Sequence, residues 1–388
     1  MIKNKELELY FHIPFCVKKC NYCDFLSAPA TTVQMELYME ALFAELEGRA
    51  EECQNYHVIS IFIGGGTPSL LEGKWIVQLL DKVRTYYTLD DTAEITIEVN
   101  PGTVDADKLQ QYKQAGINRL SIGLQSLQDK ELQELGRIHN KADFMEVYQL
   151  VRKSGFTNVN VDVMSALPGQ SLAAYCETLQ QLLQLEPMPE HISAYSLIVE
   201  EGTPFYDWAE AGRLALPDED AERKMYEVTK SILEEAGFHR YEISNYARPG
   251  YECRHNCGYW KRTDYLGFGI GAASLMDGRR FCNDSDRKEY MLHPLACRQQ
   301  EQILSREEQM EETLFLGLRM MQGVGCEEFA QSFGVTLQQV YGEVIEKNIR
   351  DGLLLYQEDA EGKQRLVFTE KGIDVSNYCL AQFLFDDD

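Results

Sequence analysis

Three cysteines stand at a spacing suited to metal chemistry: Cys16, Cys20 and Cys23, within His12-Ile13-Pro14-Phe15-Cys16-Val17-Lys18-Lys19-Cys20-Asn21-Tyr22-Cys23-Asp24-Phe25. Thiolates are soft ligands, and a C-x3-C-x2-C loop is short enough to fold three sulfurs around one face of a cube-shaped cluster. Three sulfurs bind three irons of a [4Fe–4S] cluster and leave the fourth open to a substrate or cofactor. The other chemistry open to this loop is a closed tetrahedral zinc site, for which His12 is the available fourth ligand.

A second set of candidates lies at the ends of apolar runs. Gly64-Gly65-Gly66-Thr67-Pro68 lets backbone N–H groups approach the anionic or carbonyl end of a ligand. Glu98 and Asp162 can accept from hydroxyl or ammonium groups, Gln125 can donate and accept, and Arg137 can pair with a carboxylate. Tyr10 offers an aromatic body and a hydroxyl tip. His255 lies in His255-Asn256-Cys257-Gly258-Tyr259-Trp260, an imidazole beside flat aromatic rings. Two alternatives stay open there: a histidine hydrogen-bonded within a turn beside packed Tyr259 and Trp260, or a small metal site with Cys253 and Cys257. His12 reads as orienting the cysteine loop, and His139 as exposed.

The elements that must position these residues follow from periodicity. Six β-rich runs, at 7–13, 58–64, 94–99, 119–124, 158–164 and 191–199, alternate with helical patterns at 33–52, 70–87, 105–115, 141–154, 171–185 and 218–236. Six successive βα units demand a parallel sheet with helices outside it. The candidate residues cluster just past the strands, which favours a partial (β/α)6 barrel, TIM-like, with its active face at the strand C-termini. The expected organisation is a barrel over 1–236, a structured aromatic-rich connection over 237–300 packed on it, and a small winged-helix-like α+β domain over 301–388. In the last, helices at 307–321, 326–332 and 336–351 precede β runs at 353–356 and 365–368, a terminal helix and a solvated FDDD tail.

Composition narrows the partners. With 37 basic and 62 acidic residues the net charge is −25, which argues against non-specific binding to nucleic acid or anionic membrane. Eleven cysteines, an odd number, cannot all pair as internal disulfides. No apolar run approaches the ~20 residues of a membrane span, and MIKNKELELY has no secretory apolar core, so the expected location is cytoplasmic.

Taken together, HIPFCxxxCxYCDF, GGGTPS, ExNP, GLQS and LPGQ resemble the radical S-adenosylmethionine (radical SAM) superfamily, and within it the HemN/HemW branch, over nearly the whole chain. The resemblance implies a [4Fe–4S] cluster on Cys16, Cys20 and Cys23 whose open iron is chelated by SAM, the source of a 5′-deoxyadenosyl radical. It also places Tyr10, Gly65, Gly66, Thr67, Glu98, Gln125, Arg137 and Asp162 at SAM-contacting positions.

Two activities occur in the branch: oxygen-independent coproporphyrinogen III dehydrogenation, and haem chaperoning with delivery to client haemoproteins. Three features favour the chaperone. The dehydrogenase pattern continues C-x3-C-x2-C-x-C, but here Phe25 holds the last position; only six residues precede Leu7, where the dehydrogenase carries a long arm; and 255–260 fits the H-N-x-x-Y-W signature of the HemW side. The resemblance further implies haem as bound cargo, with His255 as the candidate ligand, clients that include membrane haemoproteins reached through a partner, and a homodimer.

Overall fold

The structure is a computed structural model describing residues 5–385; of the FDDD tail, only Phe385 is among them. Its core is a parallel sheet of β1 (Lys5–Ile13), β2 (Tyr56–Gly65), β3 (Leu89–Val99), β4 (Arg119–Gln125), β5 (Val159–Ser165) and β6 (His191–Ser196), neighbours in that order. Helices α1 (Thr32–Gly48), α2 (Gly73–Tyr86) and α3 (Ala106–Gln114) follow the first three strands. The short α4 (Asp129–Glu134) and α5 (Lys141–Lys153) follow β4, and α6 (Leu172–Leu183) follows β5. After β6 come α7 (Pro204–Glu210) and α8 (Glu219–Glu235).

Period-two alternation sorts the side chains. On β1, Leu7, Leu9, Phe11 and Ile13 join the apolar core under the helices, whereas Glu8, Tyr10 and His12 face the barrel interior. Register carries the pattern across: Glu8 pairs with Ser60, Tyr10 with Phe62, Glu98 with Ser121, and Gly123 with Asp162. The interior is therefore polar, in contrast to the branched apolar filling of an ordinary closed barrel.

The barrel is partial. β6 pairs antiparallel with β8 (Asn245–Ala247), which pairs in turn with β7 (His239–Arg240); β1 pairs with β9 (Tyr265–Phe268) instead of closing on β6. Residues 237–303 are thus built into the sheet: β9, β10 (Ala273–Met276), β11 (Arg279–Asn283) and β12 (Arg298–Ile303) extend it beyond β1 to twelve strands, with α9 (Arg254–Trp260) and α10 (Arg287–Leu292) interspersed. A second core, around Leu314, Phe329, Tyr341, Ile345 and Leu366, lies in the C-terminal segment. There α11 (Arg306–Gly317), α12 (Cys326–Phe333) and α13 (Leu337–Arg350) pack with an antiparallel sheet of β13 (Val324–Gly325), β14 (Leu354–Glu358) and β15 (Gln364–Phe368). The order helix, strand, two helices, two strands is that of a winged helix.

Local rules explain the boundaries. Capping boxes start α1 (Thr31 with Gln34), α5 (Asn140 with Asp143), α11 (Ser305 with Glu308) and α13 (Thr336 with Gln339). The strand expected to reach residue 199 ends at Ser196, and Ile198 lies exposed. Helices α4 and α7, of 6 and 7 residues, span under two turns, too few to show a helical period.

Candidate functional site

A cavity of about 400 Å3 opens at the C-terminal ends of the parallel strands. Its lining includes Cys16, Cys20, Cys23, Gly65, Gly66, Thr67, Glu98, Gln125, Arg137 and Asp162, ten of the twelve candidate site residues; Tyr10 and His255 are not in it.

The cysteine loop is held over this cavity by its backbone. Cys16 N–H donates to Ala28 O at 3.3 Å, Ala28 N–H to Pro14 O at 3.1 Å, and Asn21 N–H to Leu135 O at 2.9 Å. All three thiols are free, and burial pushes those of Cys16 and Cys23 above the ordinary thiol range. Thiolate ligation to a cluster would replace the proton there. The zinc alternative loses its fourth ligand, because both His12 nitrogens are engaged: Nδ1 lies 3.0 Å from the Tyr10 hydroxyl and Nε2 lies 2.8 Å from Leu26 O. Among the described residues no trio of His, Cys, Asp or Glu converges on a single ion, whereas a cubane offers each of three sulfurs its own iron. The donor set thus fits a cluster held on three thiolates.

The glycines are required by contact. Gly65 has φ +114°, and a Cβ there would stand 2.7 Å from the His12 ring. A Cβ on Gly66 would stand 2.6 Å from Phe15 O and 2.9 Å from Ser27 Cβ, so the β2 exit runs directly beneath the cysteine loop.

Glu98 accepts from Gly65 N–H at 3.0 Å and opens, half-buried, onto the cavity. Burial, reinforced by the charge of Asp162, pushes its carboxyl up to about 8. Burial raises Asp162 too, opposed by the bond from Asn160 Nδ2 at 2.7 Å. Arg137 donates through Nη2 to Gly123 O at 2.7 Å and to Asn100 Oδ1, with Nη1 3.9 Å from the Cys20 sulfur. Its Nε has no partner among the described residues. Gln125 sits past a β4 bulge at φ +73° and accepts from the Tyr195 hydroxyl at 3.0 Å. Soft thiolates, a guanidinium and two carboxylates around one cavity can hold a zwitterion with a polyhydroxy group beside a cluster.

Tyr10 faces the same interior, with its ring against a separate small cavity lined also by Tyr259, Trp260 and Tyr265. His255 lies outside this cavity, buried within α9. It is 1 % exposed and stacked on Phe62 at 5.3 Å, with Nδ1 2.8 Å from Ser60 Oγ and Nε2 3.0 Å from the Tyr259 hydroxyl. Burial pushes it down to about 3, and neither nitrogen is free for iron. Burial likewise holds the neighbouring Cys253 as a thiol and pushes Cys257 up to about 12, which disfavours a thiolate site. His139, expected exposed, is buried, with Nε2 3.3 Å from Leu124 O.

Sequence reasoning missed Arg119, Asn160, Ser193 and Tyr195, which also line the cavity. A signal exists for three of them: Arg119 and Asn160 lie an even number of residues from Gln125 and Asp162 on their own strands, and Ser193 pairs with Asp162, whereas Tyr195 pairs with Met164 and carried no such signal.

Comparison with known proteins agrees with this geometry. The radical SAM superfamily matches residues 10–182 and the HemN C-terminal domain matches residues 304–375. Heme chaperone HemW of Lactococcus lactis is 35 % identical over 384 residues, covering 99 % of this chain and 98 % of that protein. Heme chaperone HemW of Escherichia coli is 43 % identical over 283 residues, 72 % of this chain and 73 % of that one. Coproporphyrinogen III oxidase (HemN) from Escherichia coli, a solved structure, shares the fold with a TM-score of 0.82 at 23 % identity, covering 98 % of this chain and 90 % of that one. With relatives so similar along its whole length, the chain belongs to the HemW family of radical SAM proteins.

Proposed function

We propose that this protein is a haem chaperone: it binds haem and hands it to client haemoproteins, and it carries a [4Fe–4S] cluster and SAM. The observation that carries this reading is the end-to-end similarity to proteins named Heme chaperone HemW. Phe25 supports it, since it stands exposed at the cavity mouth where the dehydrogenase pattern has another thiol.

In this reading Cys16, Cys20 and Cys23 hold the cluster, which supplies one-electron chemistry to a ligand on its open iron. Gly65, Gly66 and Thr67 offer backbone and hydroxyl groups to the methionine part of SAM. Arg137, beside Cys20, neutralises its carboxylate, while Glu98, Gln125 and Asp162 hold the ammonium and ribose groups. Tyr10 acts through His12, which its hydroxyl meets at 3.0 Å, and so steadies the cysteine loop from below.

No helix among the described residues is long and apolar enough to cross a membrane, so a membrane-bound client would be met at its surface. A cytoplasmic site of action and a homodimeric state belong to the same proposal. The test is haem transfer: haem-loaded protein mixed with an apo-haemoprotein should give up its haem, seen as the acceptor's Soret spectrum. Retention of all haem by the donor would count against the reading.

A further inference from the structure

Arg119, the first residue of β4, is 1 % exposed and lines the floor of the rim cavity. Its guanidinium makes no hydrogen bond and no ion pair among the described residues, and its Nε is fully enclosed without a partner. The nearby carboxylates act on its charge, but their hydrogen bonds run to other groups. Glu94 accepts from the Arg254 and His255 amides, each at 3.2 Å, Asp162 accepts from Asn160, and Glu98 accepts from Gly65. Thr96, which pairs with Arg119 in the β3–β4 register, leaves its own buried hydroxyl without a partner among the described residues.

Two adjacent buried donors with nothing to donate to are costly, because a desolvated guanidinium is normally paired and bonded. The group is planar and forked, and its natural counterpart is a carboxylate taken bidentately. Its backbone starts lower in the barrel than the rim. Arg137 is anchored on Gly123 O, and Arg119 starts four residues earlier on the same strand, about 13 Å lower at ~3.3 Å per residue.

We propose that the floor of the cavity is a carboxylate-binding site centred on Arg119, separate from the rim positions given above to SAM. The ligand is a small carboxylate, or the carboxylate arm of a larger molecule, that enters from the strand C-termini. Ser121, Asn160 and Ser193 around it are hydrogen-bonded to one another and to Asp162, so Arg119 carries the binding. Only the word separate rests on the SAM reading.

Thermal unfolding of the full-length reconstituted protein tests this, with sodium propionate as probe and sodium chloride at equal ionic strength as reference. Propionate at about ten times its Kd should raise the Tm of the unaltered protein by about 2 °C over chloride. The shift should vanish in Arg119→Gln. Equal Tm in the two salts would overturn the site, as would an undiminished shift in Arg119→Gln; the first comparison needs no variant to fold. Repeating it with saturating SAM should leave the propionate shift in place. Its loss would put the floor inside the SAM footprint and overturn a separate site, while failure of SAM to bind would count against the cofactor reading alone.

Discussion

Glu98 takes the amide hydrogen of Gly65 at 3.0 Å, so the carboxylate at the end of β3 is tied to the glycine turn at the end of β2. That bond favours the ionised form, yet burial and the nearby Asp162 charge win and the carboxyl titrates at about 8.

A pH dependence follows with a definite sign. A carboxyl whose folded pKa is raised stabilises the fold fully below its unfolded pKa, about 4.3, and loses that contribution as pH climbs through about 8. The urea midpoint of the ligand-free protein should therefore fall between pH 5 and 8, and Glu98→Gln should flatten the fall. A variant with the unaltered slope would remove Glu98 as its source.

Gly66 has an ordinary backbone, so its need for glycine is steric. The methyl of Gly66→Ala would meet Phe15 O at 2.6 Å and must displace the cysteine loop, at a cost of about 1–3 kcal/mol. Iron bound after anaerobic reconstitution, read from the broad visible absorption, should drop while far-UV circular dichroism stays. Full cluster content in the variant would show the loop tolerates the methyl.

His255 illustrates what position along a chain can and cannot tell. The inward alternation on β1 and the chemistry of C-x3-C-x2-C are local, and both are legible in the residues themselves. The partner of His255 is Ser60, 195 residues away, and only folding brings them to 2.8 Å. An arginine opening a strand reads as solvated, which hides the buried role of Arg119. The strands beyond β1 are equally hidden, because runs of 4 to 6 residues carry too few alternations.

His255→Ala should accordingly act on stability. It removes the stack on Phe62 and leaves Ser60 and Tyr259 short of a partner, a loss of about 2–4 kcal/mol in urea unfolding. Haemin affinity of the folded variant should stay within about threefold of the unaltered protein, a change under 1 kcal/mol. Lost haemin binding in a variant of unchanged stability would restore His255 as a haem ligand.

Parallel assays on one anaerobically reconstituted preparation put the central claim to its most direct measurement. One aliquot is titrated with haemin, and the other is given coproporphyrinogen III, SAM and a reductant. Saturable haemin binding with no protoporphyrinogen IX is the expected result; protoporphyrinogen IX formed by protein that binds no haemin would contradict the haem-chaperone account.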